Sequence, residues 1–374
     1  MEVVVREAEG RKDLRKFIHF PEKIHSKREN WIPPIYYDEW AFYNPKKNKA
    51  FQYSDTILFL AFKENELVGR AMGIINRRFN ELRKEKTVRF ANLESLEDEE
   101  IVPALLSSVE DWGRKKGMTK IIGPYGFSDQ DPEGFLIEGF ENRATIATYY
   151  NFEWMPRFVE KQGYVKDVDY FVYRLKVPKE FPEFYQRIFK RIQKRGNFKI
   201  VEFKNRKEIK PWIKPVFGLM NECFTESEIY GYAPLDEVEM DILAKRYLPI
   251  IDPRFVKAVT ADGEIVSFII GIPDMTEGIK KARGRFLPFG FLKILRAAKR
   301  TKQLDLLLGA IKKEHRGKGI DVLMGMKMLQ SAKEAGFEVL DTHHELESNV
   351  KVRAEMEKMG GEIYKRFRVY KKAL

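Results

Sequence analysis

A chain of 374 residues, 44% of them hydrophobic, is long enough for two ordinary domains with packed cores and is not a disordered polymer. Its one cysteine, Cys223, excludes an internal disulfide, and the chain has no secretory leader and no apolar run of about 18 residues, so a cytoplasmic protein is expected. Sixty-eight Lys and Arg against 56 Asp and Glu give a net charge of +12, which favours anionic partners such as a nucleotide-like cofactor, RNA or a lipid surface without choosing among them.

Val3 to Arg6 reads as a strand and residues 11–27 as a basic helix, broken by Trp31-Ile-Pro-Pro. Residues 57–62 and 67–75 form two strands about a polar turn at Glu64-Asn65, and 87–93 a third. Residues 97–116 fit a helix with acids in its first turn and Gly117 at its end, followed by a strand over 118–122 and a glycine-rich loop over 123–141. A helix over 151–162 and a strand over 169–177 close this half, and the boundary is placed at Val177-Pro178, giving domains 1–177 and 178–374.

The second half repeats the order: a helix over 180–195, then strands over 199–203, 255–260 and 264–272. Residue matches support a duplication: Leu67-Val68 with Ile265-Val266, Gly117-Met118 with Gly336-Phe337, Glu160-Lys161-x-Gly163 with Glu357-Lys358-x-Gly360, and Val172-Tyr173 with Val369-Tyr370. An insertion carries Arg283-Gly-Arg285-Phe286-Leu-Pro-Phe289-Gly-Phe291 and an amphipathic basic helix over 292–302. Such a helix most often covers a sheet edge or a partner. Weak contact with an anionic surface through 283–302 is the alternative, and no nucleic-acid motif accompanies the interleaved aromatics.

The most informative stretch follows. Leu304 to Ile311 is an apolar run read as a buried strand, with Gly309 inside it as the mark of a bulge or of a close backbone approach. Arg316-Gly317-Lys318-Gly319-Ile320-Asp321 then turns into a helix over 322–334. Two glycines permit positive φ, two cations attract an anion, and the first-turn N–H groups and the macrodipole complete an anion site. Asp321 either places a carboxylate near that anion or caps the helix. The corresponding turn of the first half is Glu97-Asp98-Glu99-Glu100, which repels phosphates, so the second half alone should take such a ligand.

Arg316-x-x-Gly319 resembles the Arg/Gln-x-x-Gly-x-Gly/Ala signature with which the Gcn5-related N-acetyltransferase superfamily holds the pyrophosphate of coenzyme A; Asp321 stands where that pattern has a small residue. Asn349, Lys358 and Gly360 also match the superfamily's Asn-x-x-Ala-x-x-x-Tyr-x-Lys-x-Gly stretch, with Val352 and Met356 replacing the alanine and the tyrosine. The tyrosine commonly protonates the leaving thiolate in relatives, and a thioether cannot. The resemblance implies an α/β fold of two tandem acetyltransferase-like domains, each a mixed, mostly antiparallel sheet flanked by helices. It also implies acetyl-CoA or another acyl-CoA as co-substrate. Backbone amides at Gly309, Ala310 and Ile311 would face the thioester, the turn 316–321 the pyrophosphate, and Asn349 would belong to the same site.

An attacking amine needs a base. The strand read over 338–346 ends Asp341-Thr342-His343-His344-Glu345, and alternation places Asp341, His343 and Glu345 on one face. His343 with Glu345 is the favoured catalytic pair; strand-end polar residues bonded to backbone are the plainer reading. No metal is expected, because adjacent histidines point apart and the acidic loop 129–134 lacks the last ligand of a calcium site. The long loop Gly123 to Gly134 is either a surface excursion or a lid over the other half's acceptor site. Together these features suggest an acyl-CoA-dependent N-acyltransferase acting on a small-molecule or lipid-like amine, moving groups other than aminoacyl groups. A non-catalytic CoA-binding scaffold and an aminoacyl-tRNA-dependent transferase are the alternatives.

Overall fold

Glu64 and Asn65 hold left-handed φ values of 52° and 65°, the geometry of a tight hairpin turn. They join strand β2 (Ser54–Lys63) to β3 (Glu66–Asn76), and β1 (Val4–Glu7) and β4 (Thr87–Ser95) flank this pair. The computed structural model describes residues 2–227 and 229–374. The remaining strands are β5 (Lys120–Gly123), β6 (Phe135–Glu138), β7 (Val165–Lys176), β8 (Lys199–Glu202), β9 (Val256–Ala261), β10 (Glu264–Pro273), β11 (Gln303–Ile311), β12 (Val339–Asp341), β13 (Glu345–Leu346) and β14 (Glu362–Ala373). They form one mixed sheet in the order β1-β2-β3-β4-β5-β14-β7-β12-β11-β10-β9-β8, with β6 beside β14 and β13 beside β7.

This order contains an exchange. β7 closes the first half of the sequence but pairs with β12 of the second, and β14 closes the second but pairs with β5 of the first. The two exchanged strands lie against each other along Val165–Arg174 and Glu362–Lys371. The duplicated halves therefore share one continuous sheet.

Each half contains a wedge. β4 and β5 run parallel only over Thr87–Arg89 and Lys120–Ile122, and β11 and β12 only over Gln303–Asp305 and Val339–Asp341. Beyond these pairs the strands diverge. The first wedge is filled: Tyr125 N–H donates to Phe90 O at 2.9 Å, and Tyr125 and Phe127 are buried. Its acidic turn is neutralised, since Lys63 bonds Asp98 at 2.8 Å and Glu100 at 3.2 Å and Lys161 pairs with Glu99. The second wedge opens into a cavity of about 1490 Å³.

Helix Ile320–Glu334 covers one face of β9–β11 through Leu323, Met324 and Met328. Helix Ile213–Glu226 covers β10 and β11 from the other side, with Leu219, Met220 and Cys223 against Phe268. Two elements differ from expectation. Only Met155–Glu160 of the segment 151–162 is helical, because Asn151 spends its side chain bridging Leu136 N–H and C=O. The amphipathic helix, Gly290–Arg300, packs chiefly on the short helix Thr276–Lys281 rather than on a sheet edge.

Candidate active site

β11 carries its irregularity where it leaves β12. Ile270 pairs with Leu308 and Gly271 with Leu306, so Leu307 is the extra residue of a bulge. The sequence pointed to Gly309 instead; Gly309 is regularly paired with Ile269 and is exposed, and its missing side chain leaves the strand's surface open beside the wedge. Gly309, Ala310 and Ile311 all line the cavity, as do Arg316, Gly317, Asp321 and Asn349.

The turn has the backbone that its glycines require: φ is 73° at Gly317 and 88° at Gly319. Gly319 is the N-cap of helix Ile320–Glu334 and no side chain caps it. The first-turn amides therefore stay available, and of the two readings of Asp321 the helix cap is not the one found. Asp321 is instead exposed and lines the cavity. Arg316 is folded back, donating to Ile311 O at 3.0 Å and Ser227 Oγ at 2.9 Å, whereas Lys318 is exposed. Ile320 is buried and anchors the turn in the core. A side chain at Gly319 would strike Ile192, but nothing lies within 4 Å of the Gly317 position. Charge reversal at Lys318 is thus the clean perturbation. If an anion rests on this turn, Lys318→Glu should weaken its binding by roughly tenfold at low salt and less at high salt, measured by calorimetry with a nucleotide diphosphate at two ionic strengths.

The strand expected over 338–346 is broken. Between the pairs Asp341–Arg174 and Glu345–Phe171 it carries three residues against two, and His343 takes φ +58°. One extra residue reverses the facing of everything after it. Asp341 and Glu345 are therefore on opposite faces, not on one as alternation implied. Asp341 accepts the His343 N–H at 2.7 Å and the Tyr364 hydroxyl, which fixes the left-handed turn. The His343 ring bonds Ile146 O at 2.8 Å rather than a carboxylate, and Glu345 interacts with the amide of Asn349, whose side chain does not cap its own helix. His343 and Glu345 both line the cavity but are not partnered with each other.

The imidazole–carboxylate pair that the structure brings together is different. His344 stacks on Tyr170 and lies 3.7 Å, Nδ1 to Oε1, from Glu133. Both side chains are buried, and His344 Nε2 and Glu133 Oε2 have no hydrogen-bond partner. Glu133 comes from the loop 123–134, so that loop has two roles. Its start plugs the first wedge, and its Asp129, Asp131 and Glu133 line the second half's cavity. Arg89 holds it there by donating to Gly126 O and Phe127 O at 3.0 Å and to Gly231 O at 3.3 Å. Sequence reading missed Glu133 because its partner lies in the other half; the acidic run in an oversized loop was the available signal.

Burial governs the charges. It lowers His343 to about 4 and His344 to about 3, and raises Asp129, Glu133 and Glu345 to about 8. Between the ordinary carboxylate value and 8 the unfolded chain ionises while the fold holds its protons, so stability falls as pH rises through that window. Below about 6.5 the unfolded histidines take protons that the buried ones refuse, so stability falls again toward acid. Three raised carboxyls outweigh two lowered imidazoles through the overlap, so the thermal midpoint should be highest between about pH 4 and 5 and decline as pH rises toward 8, and Glu133→Gln should make that decline shallower in a thermal-shift series. Burial also pushes the Cys223 thiol up to about 11, which keeps it a poor nucleophile at neutral pH. Among the described residues no group of three or more His, Cys, Asp or Glu is placed to hold a metal ion.

Solved structures with this geometry include a tandem Gcn5-related N-acetyltransferase protein from the clavulanic acid biosynthesis pathway, which matches at TM-score 0.55 and 13% identity over 100% of this chain and 98% of that one. A Gcn5-related N-acetyltransferase from Sphaerobacter thermophilus matches at TM-score 0.53 and 12% identity over 99% and 95%. The chain has the Gcn5-related N-acetyltransferase fold, in tandem. No family model matches it. In sequence it is 28% identical over 373 residues to the bacterial ceramide synthase of Caulobacter vibrioides, covering 97% of this chain and 95% of that protein. It is 23% identical over 380 residues to protein YghO of Escherichia coli, covering 99% and 95%.

Proposed function

We propose that the protein transfers the acyl group of a long-chain acyl-CoA to the primary amine of a lipid-like amino alcohol, forming an amide. The observation that carries this reading is the second wedge. It opens beside an uncapped glycine turn into a largely apolar cavity of about 1490 Å³, beyond the roughly 300–1,000 Å³ of ordinary small-ligand pockets. Phe217, Phe224, Leu243 and Tyr247 line the acceptor side, which suits aliphatic chains. The name of the Caulobacter relative agrees with such an acceptor.

In this reading the pyrophosphate rests on the amides of the turn 317–321, with Lys318 adding charge. The thioester lies at the bulge, where the main chain of 309–311, no longer facing β12, supplies donors to the developing oxyanion. The amine attacks the thioester carbon and gives its proton to His344 Nε2; the C–S bond breaks and the coenzyme leaves as a thiolate that takes a proton from solvent through the mouth. Ionised Glu133 stabilises the imidazolium. His343 and Glu345 act on the same cavity as positioning groups, His343 by fixing Ile146 and Glu345 by fixing Asn349 at the cofactor side. Met356, half-buried and lining the cavity, offers no proton.

The test is incubation with a long-chain acyl-CoA and a long-chain amino alcohol, following amide by mass spectrometry and free thiol by colour. Equal yields of amide and thiol are expected. A thermal shift with coenzyme A but no thiol release from any amine would establish a binding protein instead. Salt-sensitive binding of tRNA with no response to coenzyme A would establish the aminoacyl-transfer alternative.

A further inference from the structure

The segment 283–300 presents apolar side chains to solvent on a rigid mount. Phe286 is 43% exposed, Leu287 73%, Phe289 68%, Leu292 52% and Leu295 49%. An isolated exposed leucine needs no explanation, but five large apolar groups within ten residues form a patch of the kind that marks an interaction surface. The mount is well tied down. Tyr36 N–H donates to Gly284 O at 3.0 Å, and Gly284 is pressed so closely against Pro34 O that no side chain fits. Arg285 pairs with Glu22 at 3.2 Å. The helix Gly290–Arg300 buries Ile294 against Met275 and Ile279, and Gly278 lets it approach to contact. These contacts use up the inner face and leave Leu292 and Leu295 directed away from the core.

The charges on the segment 283–300 itself have one sign. Arg283, Lys293, Arg296, Lys299 and Arg300 are all exposed, and the helix carries no acid. Helical spacing puts Arg296 and Lys299 on the same outward stripe as Leu292 and Leu295. A stripe of leucines bordered by cations, continued by a Phe-Leu-Pro-Phe tip, fits the boundary between anionic headgroups and acyl chains. A protein partner would have to offer a complementary acidic groove, whereas an anionic bilayer supplies both halves of the match at once.

We infer that segment 283–300 docks the protein on an anionic phospholipid surface, with Leu287, Phe289, Leu292 and Leu295 entering the headgroup layer and the basic residues contacting lipid phosphates. Among the described residues no helix is long and apolar enough to cross a membrane, so the attachment is interfacial. The patch is mechanically continuous with the candidate site. Ile294 belongs to the same apolar cluster as Leu307, the bulge residue, and Ile146, whose carbonyl holds His343.

The test is flotation of the full chain with mixed phosphatidylglycerol–phosphatidylcholine vesicles against vesicles of phosphatidylcholine alone. Binding should be more than about tenfold stronger to the anionic vesicles and should fall with added salt. Leu287→Glu with Phe289→Glu, and separately Arg296→Glu with Lys299→Glu, should each abolish it without moving the thermal midpoint, since these side chains are exposed. Acyl transfer to a detergent-dispersed amine should be retained by both variants, which separates failure of this inference from failure of the proposed activity. Equal binding to both vesicle types, binding unchanged in the variants, or no partition at all would overturn it. So would a dimer that the apolar variant converts to monomer while vesicle binding is absent, for then a second copy would own the face.

Discussion

In the proposed acyl transfer, His344→Ala should lower kcat by about 10²- to 10⁴-fold with the acyl-CoA KM nearly unchanged, which is the scale of a positioned general base. His344 lines the cavity and its Nε2 is buried without a hydrogen-bond partner; its other nitrogen is backed by Glu133, and Tyr170 and Phe367 pack against the ring. Glu133→Gln is the more diagnostic substitution. Burial raises Glu133 to about 8, so at neutral pH the carboxyl is mostly protonated and cannot stabilise an imidazolium. Activity should therefore climb as pH rises through about 8, and Glu133→Gln should remove that limb and leave a low rate whose residual slope is the amine's own ionisation. His343→Ala provides the contrast. Its ring is committed to Ile146 O, so its loss should disturb acceptor affinity more than the pH profile. A full-rate His344→Ala enzyme, or an alkaline limb that survives Glu133→Gln, would move the base elsewhere.

How much of this was readable beforehand depends on the range of the interaction. The glycine turn before helix Ile320–Glu334 was legible because glycine spacing, charge and the strand-to-helix transition all sit within a few residues of one another. Gly317 and Gly319 take the positive φ values that their identity implied. The strand ladder of the first half was legible for the same reason. The bulge at His343 was not. It is imposed by β7, which matches 341–345 with one residue fewer, and by the Asp341 carboxylate that accepts its N–H. Alternation along an isolated strand cannot show a slip dictated by its neighbour, and so Glu345 was paired with His343 in place of Glu133 with His344. The exchange of β7 and β14 was equally hidden. Each strand looks like the natural end of its own half, and only pairing partners more than 150 residues away reveal the crossing, as Asp341–Arg174 shows.

That exchange predicts the failure of either half to fold alone. We propose 1–177 and 178–374 as the evolutionary units, but each lacks the strand that completes its own sheet. Residues 178–374 without β7 would expose β12 as an edge and uncover the core containing Leu304, Met328 and Leu340, against which Phe171, Tyr173 and Leu175 pack. The first half without β14 would lose Phe367, Val369 and Tyr370 from two clusters. Burial of a large apolar side chain contributes about 1.5–3 kcal/mol, so five such groups on β7, from Tyr170 to Leu175, amount to roughly 10 kcal/mol. A whole domain is stable by only about 5–15 kcal/mol, so losing the strand consumes most or all of it. Each half expressed alone should be insoluble or molten, with no cooperative thermal transition, and the bare β12 or β5 edge should aggregate. Co-expression of the two halves as separate chains should restore a soluble heterodimer, because the exchanged strands then find their partners in trans. A half that melts cooperatively on its own would show that its terminal strand can fold back into its own sheet, and that the crossing is one of two accessible pairings.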